Sequence, residues 1–246
     1  MAVSFATPEP VTPEAPRPIA RPLLTQSWLD VAFVHWAAAP DDIAHLFPPG
    51  TRPDTLDGTT YIGLVPFRMH RVGWLGLPGM PYLGSFPETN VRLYSVDEQG
   101  RRGVVFLSLD ASRLAAVATA RAAFGLPYVW SRMSVRRGNG TVTYVSSRHR
   151  PEGRPADSRV TVRVGEPIGQ PNEIEQFVTA RWGLHHRIRS RTRYLPNAHP
   201  HWPLRRAELV AYDSALVTAA GLPEPAGEPV SVLFSPGVPV RFGRPV

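Results

Sequence analysis

The segment Phe86-Pro-Glu-Thr-Asn-Val-Arg-Leu-Tyr94 alternates in the manner of a β-strand. Successive strand side chains point to opposite faces, so Glu88, Asn90, Arg92 and Tyr94 share one side and Thr89, Val91 and Leu93 the other. An acid, an amide, a guanidinium and a phenol therefore stand in one row. The apolar run that follows, residues 103–109, reads as a strand buried on both faces, and the intervening Asp97-Glu-Gln-Gly100 turn makes the two a hairpin. A polar row beside a buried strand needs partners. Either it faces water, or it lines an internal cavity and is a site.

Before this hairpin, residues 28–36 form a strand with Phe33 and His35 on one face and Val34 and Trp36 on the other. Residues 61–70 form another, in which Pro66 signals an edge or a bulge. A short helix over 41–47 lies between them. The Pro-rich residues 1–20 read as a flexible or surface-draped arm, ahead of a single domain spanning 21–246. Residues 73–84, rich in Gly and Pro yet apolar, suit a lid or a subunit contact.

After the hairpin, an Ala-rich helix is predicted over 110–124, with Asp110 or Ser112 as its cap and Gly125 just past its end. Gly138-Asn-Gly140 joins strands at 129–137 and 141–150, and residues 159–164 make a further strand. Asn172 and Glu175 form a capping box for a helix over 173–182. Residues 185–194 read as one strand with Arg187, Arg189, Arg191 and Arg193 on one face. Strands at 204–212 and 230–234 enclose a short helix at 213–220, and a Pro-broken tail closes the chain. About ten strands against three or four short helices, without βαβ alternation or repeats, predict a mainly β (α+β) domain, either a barrel or a bent sandwich.

A chain of 246 residues can bury a substantial core. Cysteine is absent, which excludes disulfides and thiolate chemistry and suits a cytoplasmic protein. With no basic-then-apolar leader and no run of ~20 apolar residues, a membrane is not an expected partner. The net charge of +7 comes from 27 basic against 20 acidic residues, and every basic residue is an arginine. Without lysine, Schiff-base chemistry from a lysine amine is excluded.

Residues 1–130 hold 10 arginines against 11 acids, residues 131–246 hold 17 against 9. That asymmetry raises the question of nucleic acid. No stacking aromatics interleave with the arginines and no helix-turn-helix is evident, so nucleic acid is not the expected partner and the arginine row suits a solvated face or a subunit contact. Dinucleotide, P-loop, zincin and nucleophile-elbow motifs are missing. His185-His186 and His199-Pro-His201 are the only tight histidine groups, and no acid lies close to them in sequence, so no metal or other cofactor is expected.

The segments FPETNVRLY (86–94) and ARAAFGLPY (120–128) resemble an uncharacterised bacterial family of YqjF-like proteins, distant relatives of the acetoacetate decarboxylases. VAFVHW (31–36), DGTTYIGLVPF (57–67), FLSLDA (106–111), TARW (179–182) and HPHWPL (199–204) carry the same resemblance. It implies a single closed or nearly closed antiparallel β-barrel with a few short helices, an internal polar cavity and a homo-oligomer. In the decarboxylases a glutamate follows a G-x-Y-x-E type motif, to which Gly84-Ser-Phe-Pro-Glu88 is similar. Their lysine pair closes a G-R-E-x-x-G-x-P-K-K segment, which residues 120–129 resemble up to Pro127, with Tyr128 and Val129 where the lysines would stand. The family's iminium chemistry therefore does not carry over; the scaffold and the pocket do.

The expected site is a small-molecule pocket in which Glu88 gives or takes a proton and Arg92 and Arg121 orient a carboxylate. Asn90, Tyr128 and His35 complete it, and Arg148 and Arg181 add positive potential. The residues alone leave other readings open: a structural Glu88–Arg92 ion pair, Arg121 as a helix-end cation, Tyr128 and His35 as core. Burial would keep Glu88 neutral, whereas an adjacent arginine would favour its anion. Acid–base catalysis on a small carboxylate or carbonyl compound and non-catalytic ligand sensing share this signature.

Overall fold

The strands of the chain are, in order, β1 (Leu24–Ala38), β2 (Thr51–Pro53), β3 (Thr60–Trp74), β4 (Phe86–Asp97), β5 (Arg102–Ala111), β6 (Tyr128–Gly138), β7 (Thr141–Arg148), β8 (Asp157–Pro167), β9 (Gly183–Ile188), β10 (Arg191–Ala198), β11 (Arg205–Ser214) and β12 (Ser231–Phe242). Among the described residues four short α-helices join them, α1 (Pro40–Ile43), α2 (Leu114–Phe124), α3 (Glu173–Thr179) and α4 (Leu216–Ala219), with a 3-10 turn at Ala44–Leu46. This computed structural model describes residues 5–74, 84–149, 155–188 and 190–246. Most of the stretch expected as a lid or subunit contact, residues 75–83, lies outside the described residues, as does Arg189. Among the described residues no helix is long and apolar enough to cross a membrane.

The polar-row strand and its neighbour form the expected hairpin, β4 pairing antiparallel with β5 from Glu88↔Ala111 to Val96↔Arg102. From β5 the pairings run through β6, β7, β8, β11, β12, β1 and β3 back to β4. The sheet is thus nearly ring-closed, with narrow joins: three residue pairs between β5 and β6, two between β11 and β12. It is mainly antiparallel, as expected, but the β5–β6 and β5–β9 joins are parallel.

Three bulges shape the inner face. Asp30, at φ 53°, is the extra residue where β1 passes β3. Pro66 sits opposite it, in the part of β3 that has no ladder partner on β1, so the bulge which this proline signals lies on the neighbouring strand. Arg71, also at φ 53°, bulges β3, and a third irregularity falls where Val91↔Ser108 is followed by Arg92↔Phe106. Each bulge shifts the alternation by one residue and re-aims the side chains beyond it. Trp28 and Val31, Met69 and Val72, Phe106 and Leu109 thereby share one interior face although each pair is three apart.

Several expected elements differ in detail. Asp110 does not cap α2: it lies within β5, fully buried, where Arg148 Nε and Nη2 and Ser131 Oγ donate to its carboxylate at 2.7–2.8 Å. A buried cation satisfies this carboxylate better than an exposed helix end would. The helix begins later, at Leu114, and stops at Gly125 in the left-handed region, as expected. The capping box forms, but α3 ends at Thr179. Residues 185–194 are not one strand but parts of the β9–β10 hairpin, which splits the arginine row. The Pro-broken tail continues β12 to Phe242, on through Pro236 and Pro239. The arm packs on the surface: Ala6 N–H donates to Glu98 O, Trp182 Nε1 to Thr12 O, and Arg17 to Glu9 and the Tyr194 hydroxyl.

Candidate functional site

A cavity of about 340 Å³ lies inside the sheet, and Glu88, Asn90 and Arg92 line it from β4. The alternating row thus faces an interior space and not bulk water. Tyr94, the fourth member, stands behind the cavity and ties Arg92 to the core. Its hydroxyl donates to the Val178 carbonyl at 3.1 Å, receives Arg92 Nε at 3.2 Å and lies 2.6 Å from His35 Nε2.

Glu88 is 3 % exposed. Burial raises its pKa to about 8, the nearby Asp110 carboxylate adds to the rise, and a hydrogen bond donated by Tyr128 to Oε2 at 3.0 Å opposes it. The open Glu88–Arg92 pairing is resolved against an ion pair, because Arg92 turns elsewhere. Its Nη2 donates to the Val178 carbonyl at 2.8 Å, and its guanidinium lies over the Phe33 and Tyr94 rings. Among the described residues it has no carboxylate partner, and Nη1 makes no hydrogen bond to protein. Asn90 is 4 % exposed, and its Oδ1 has no partner either.

Tyr128 lines the cavity across from Glu88, on the first residue of β6, where α2 and Gly125 deliver it. Burial and then the Glu88 carboxyl push its phenol well above the usual range. His35 does not line the cavity, contrary to expectation. It is wholly buried against Tyr94, and burial, followed by the charges of Arg92 and Arg181, holds its pKa well below 6.5. Arg121 is likewise not in the pocket: it is exposed on α2, and its Nε donates to the Tyr128 carbonyl at 2.7 Å, which fixes the backbone of the pocket tyrosine from outside. Arg148 and Arg181 lie behind the wall, paired with Asp110 and Asp54.

Sequence reasoning missed most of the wall. Trp28, Phe67 and Trp202 line the cavity, and nothing in local alternation assigns the first or last of them. Each tight histidine group meets a single acid distant in sequence, His201 lying 3.7 Å from Glu14, and no group of three or more metal-ligating side chains occurs among the described residues. His185 instead bridges Ser95 Oγ at 2.8 Å and Asp97 Oδ2 at 3.2 Å.

A family model described as an uncharacterized conserved protein, DUF2071, matches residues 25–239. The chain belongs to this family. The chain is 30% identical over 213 residues to the uncharacterized protein YqjF of Bacillus subtilis (strain 168), covering 85% of this chain and 86% of that protein. Among solved structures, the enduracididine biosynthesis enzyme MppR complexed with pyruvate superposes with a TM-score of 0.61 at 16% identity, over 94% of this chain and 91% of that one. An acetoacetate decarboxylase-like enzyme from Sphingomonas wittichii RW1 gives 0.60 at 11% identity, over 100% and 97%. The acetoacetate decarboxylase of Legionella pneumophila gives 0.55 at 16%, over 94% and 91%. These likenesses establish that this DUF2071 member has an acetoacetate decarboxylase-like fold.

Proposed function

We propose that the cavity binds a small carboxylate- or carbonyl-bearing molecule and that Glu88 performs lysine-independent acid–base chemistry on it. One observation carries this reading: a carboxyl that keeps its proton to about pH 8 and a guanidinium with no carboxylate partner line the same cavity. A cation left without an anion in an apolar cavity is an anion receptor in waiting. Arg92 Nη1 takes the ligand's carboxylate and the Asn90 amide supports it. Because Glu88 Oε2 accepts from Tyr128, Oε1 is left to carry the carboxyl proton toward the ligand. At neutral pH the group acts as an acid, giving its proton to a carbonyl oxygen as negative charge develops there. Above about pH 8 it becomes a base.

The experiment is a panel of oxo and hydroxy acids screened by thermal shift and then for turnover, with Glu88→Gln beside the parent. Ligand-induced stabilisation in both proteins, with turnover only in the parent, is the expected result. Stabilisation without conversion of any compound by the parent would replace the enzyme reading with ligand sensing.

A further inference from the structure

Glu88, Asn90 and Arg92 stand in one row; apart from Gln26, Thr119 and Tyr128, the side chains around them are almost all hydrocarbon. Trp28 and Phe33 come from β1, Phe67 from β3, Phe106 from β5 and Phe242 from β12, with Trp202 closing the ring of aromatics. Among the described lining residues, Glu88 and Arg92 are the only acid and the only base. An oxo acid of a few carbons seated on Arg92 would leave most of this apolar surface uncovered. Covering it is the main favourable contribution a ligand can make here.

Size points the same way. A cavity of about 150 Å³ holds one benzene ring, and this one, at about 340 Å³, is more than twice as large. Length does too: positions 88 and 92 are four residues apart on one strand, which separates their Cα atoms by about 13 Å. The absence of a Glu88–Arg92 ion pair agrees with that separation. A molecule that meets Arg92 at one end and Glu88 with Tyr128 at the other must be elongated.

We propose that the ligand of this site is a monocarboxylate with an apolar body of about eight to twelve heavy atoms, an arylalkanoate or a medium-chain acid. Its carboxylate rests on Arg92 and Asn90 and its body lies between the aromatic walls. This rests on the carboxylate reading above and narrows it. On the α2 side the wall is small, formed by Ala115, Ala116, Thr119 and Ala120, and exposed Ala115 and Thr119 bring it to the surface. A ligand's apolar end can lie against this wall.

The test is isothermal titration of the full chain with straight-chain carboxylates from acetate to decanoate, with phenylpropanoate and pyruvate, and with primary alcohols of matched length. Affinity is expected to rise about fourfold per methylene until the cavity is full, and each alcohol to bind about tenfold more weakly than its acid. Arg92→Met is expected to erase the acid–alcohol difference and keep the chain-length slope. Ala116→Phe fills space without altering the β4 row; it is expected to weaken the long acids about tenfold and spare the short ones, and it serves where Arg92→Met does not fold. Carboxylates that bind equally whatever their length, or pyruvate binding most tightly, would overturn the apolar body and leave the carboxylate reading intact. Alcohols that bind while no carboxylate does would overturn both.

Discussion

Glu88 and Asp97 are both buried carboxyls on β4, and their surroundings drive them in opposite directions. The folded pKa of Glu88 is raised, from 4.5 to about 8. Between those values the native state holds a proton which the unfolded chain has released, so stability falls as pH rises through that window. Glu88→Gln keeps the shape and the acceptor for Tyr128 and removes the penalty. It should match the parent near pH 4 and exceed it near pH 8 by on the order of a few kcal/mol, read from denaturant melts across pH; a parent that is the more stable protein at pH 8 would show Glu88 to be a paired anion. For Asp97, burial acts upward, but hydrogen bonds from His185 and Arg101 outweigh it and bring the carboxyl to about 2. Its contribution is therefore present above pH 4 and lost as pH falls toward 2, so Asp97→Asn should be the less stable protein at pH 6, with the gap closing in that acid range. Alternation alone placed Glu88, Asn90 and Arg92 on one face. It could not say that Arg92 turns to the Val178 carbonyl, nor that burial rather than a paired arginine sets the protonation of Glu88. Nor does a helix position late in α2 tell whether Arg121 points in or out, since either satisfies the helix end.

The bulges explain why the elements were legible and the cavity wall was not. Strand, hairpin and helix signals depend on local chemistry: Asn139 and Gly140 take the positive φ angles of a tight hairpin turn, and Asn172 and Glu175 form their reciprocal cap. A bulge depends on the neighbouring strand. Asp30 has its left-handed conformation because its carboxylate binds Arg68 and Arg137 and its carbonyl accepts from Tyr144, and none of these partners is near it in sequence. The cap of α3 has a consequence at the site. The helix holds the Val178 carbonyl, which accepts from both Arg92 and Tyr94. Asn172→Ala removes the acceptor for the Glu175 N–H and should cost about 1 kcal/mol in denaturant melts. By loosening the anchor of Arg92 it should also weaken carboxylate binding severalfold while leaving alcohol binding unchanged. Equal loss for both ligand types would mean that the cap supports only the fold.

On the scale of the whole molecule, a nearly ring-closed sheet leaves few edges, but its joins at β5–β6 and β11–β12 are only a few residues wide. Composition and strand count predicted the mainly β domain, whereas closure depends on pairs such as Leu24↔Phe242, which join residues far apart in sequence and leave no local signature. The arm is where closure and sequence reading meet. Its Pro-rich composition suits a flexible or a draped segment equally. In the fold, Glu9 N–H donates to the Gly100 carbonyl and the Glu9 carbonyl accepts Arg102 Nε, while Arg102 also binds Asp54, which pairs with the buried Arg181. Gly100 itself, at φ 81°, has no room for a Cβ, which would lie 2.4 Å from the Thr7 carbonyl. Removing residues 1–20 would thus take partners from Trp182 Nε1, Arg102 Nε and the Tyr194 hydroxyl at once. With each net hydrogen bond worth about 1 kcal/mol, the truncated chain should lose a few kcal/mol and melt about 5–10 °C lower by calorimetry. An arm that merely trails in solvent would leave the melting temperature where it was, and that outcome would return residues 1–20 to the flexible reading.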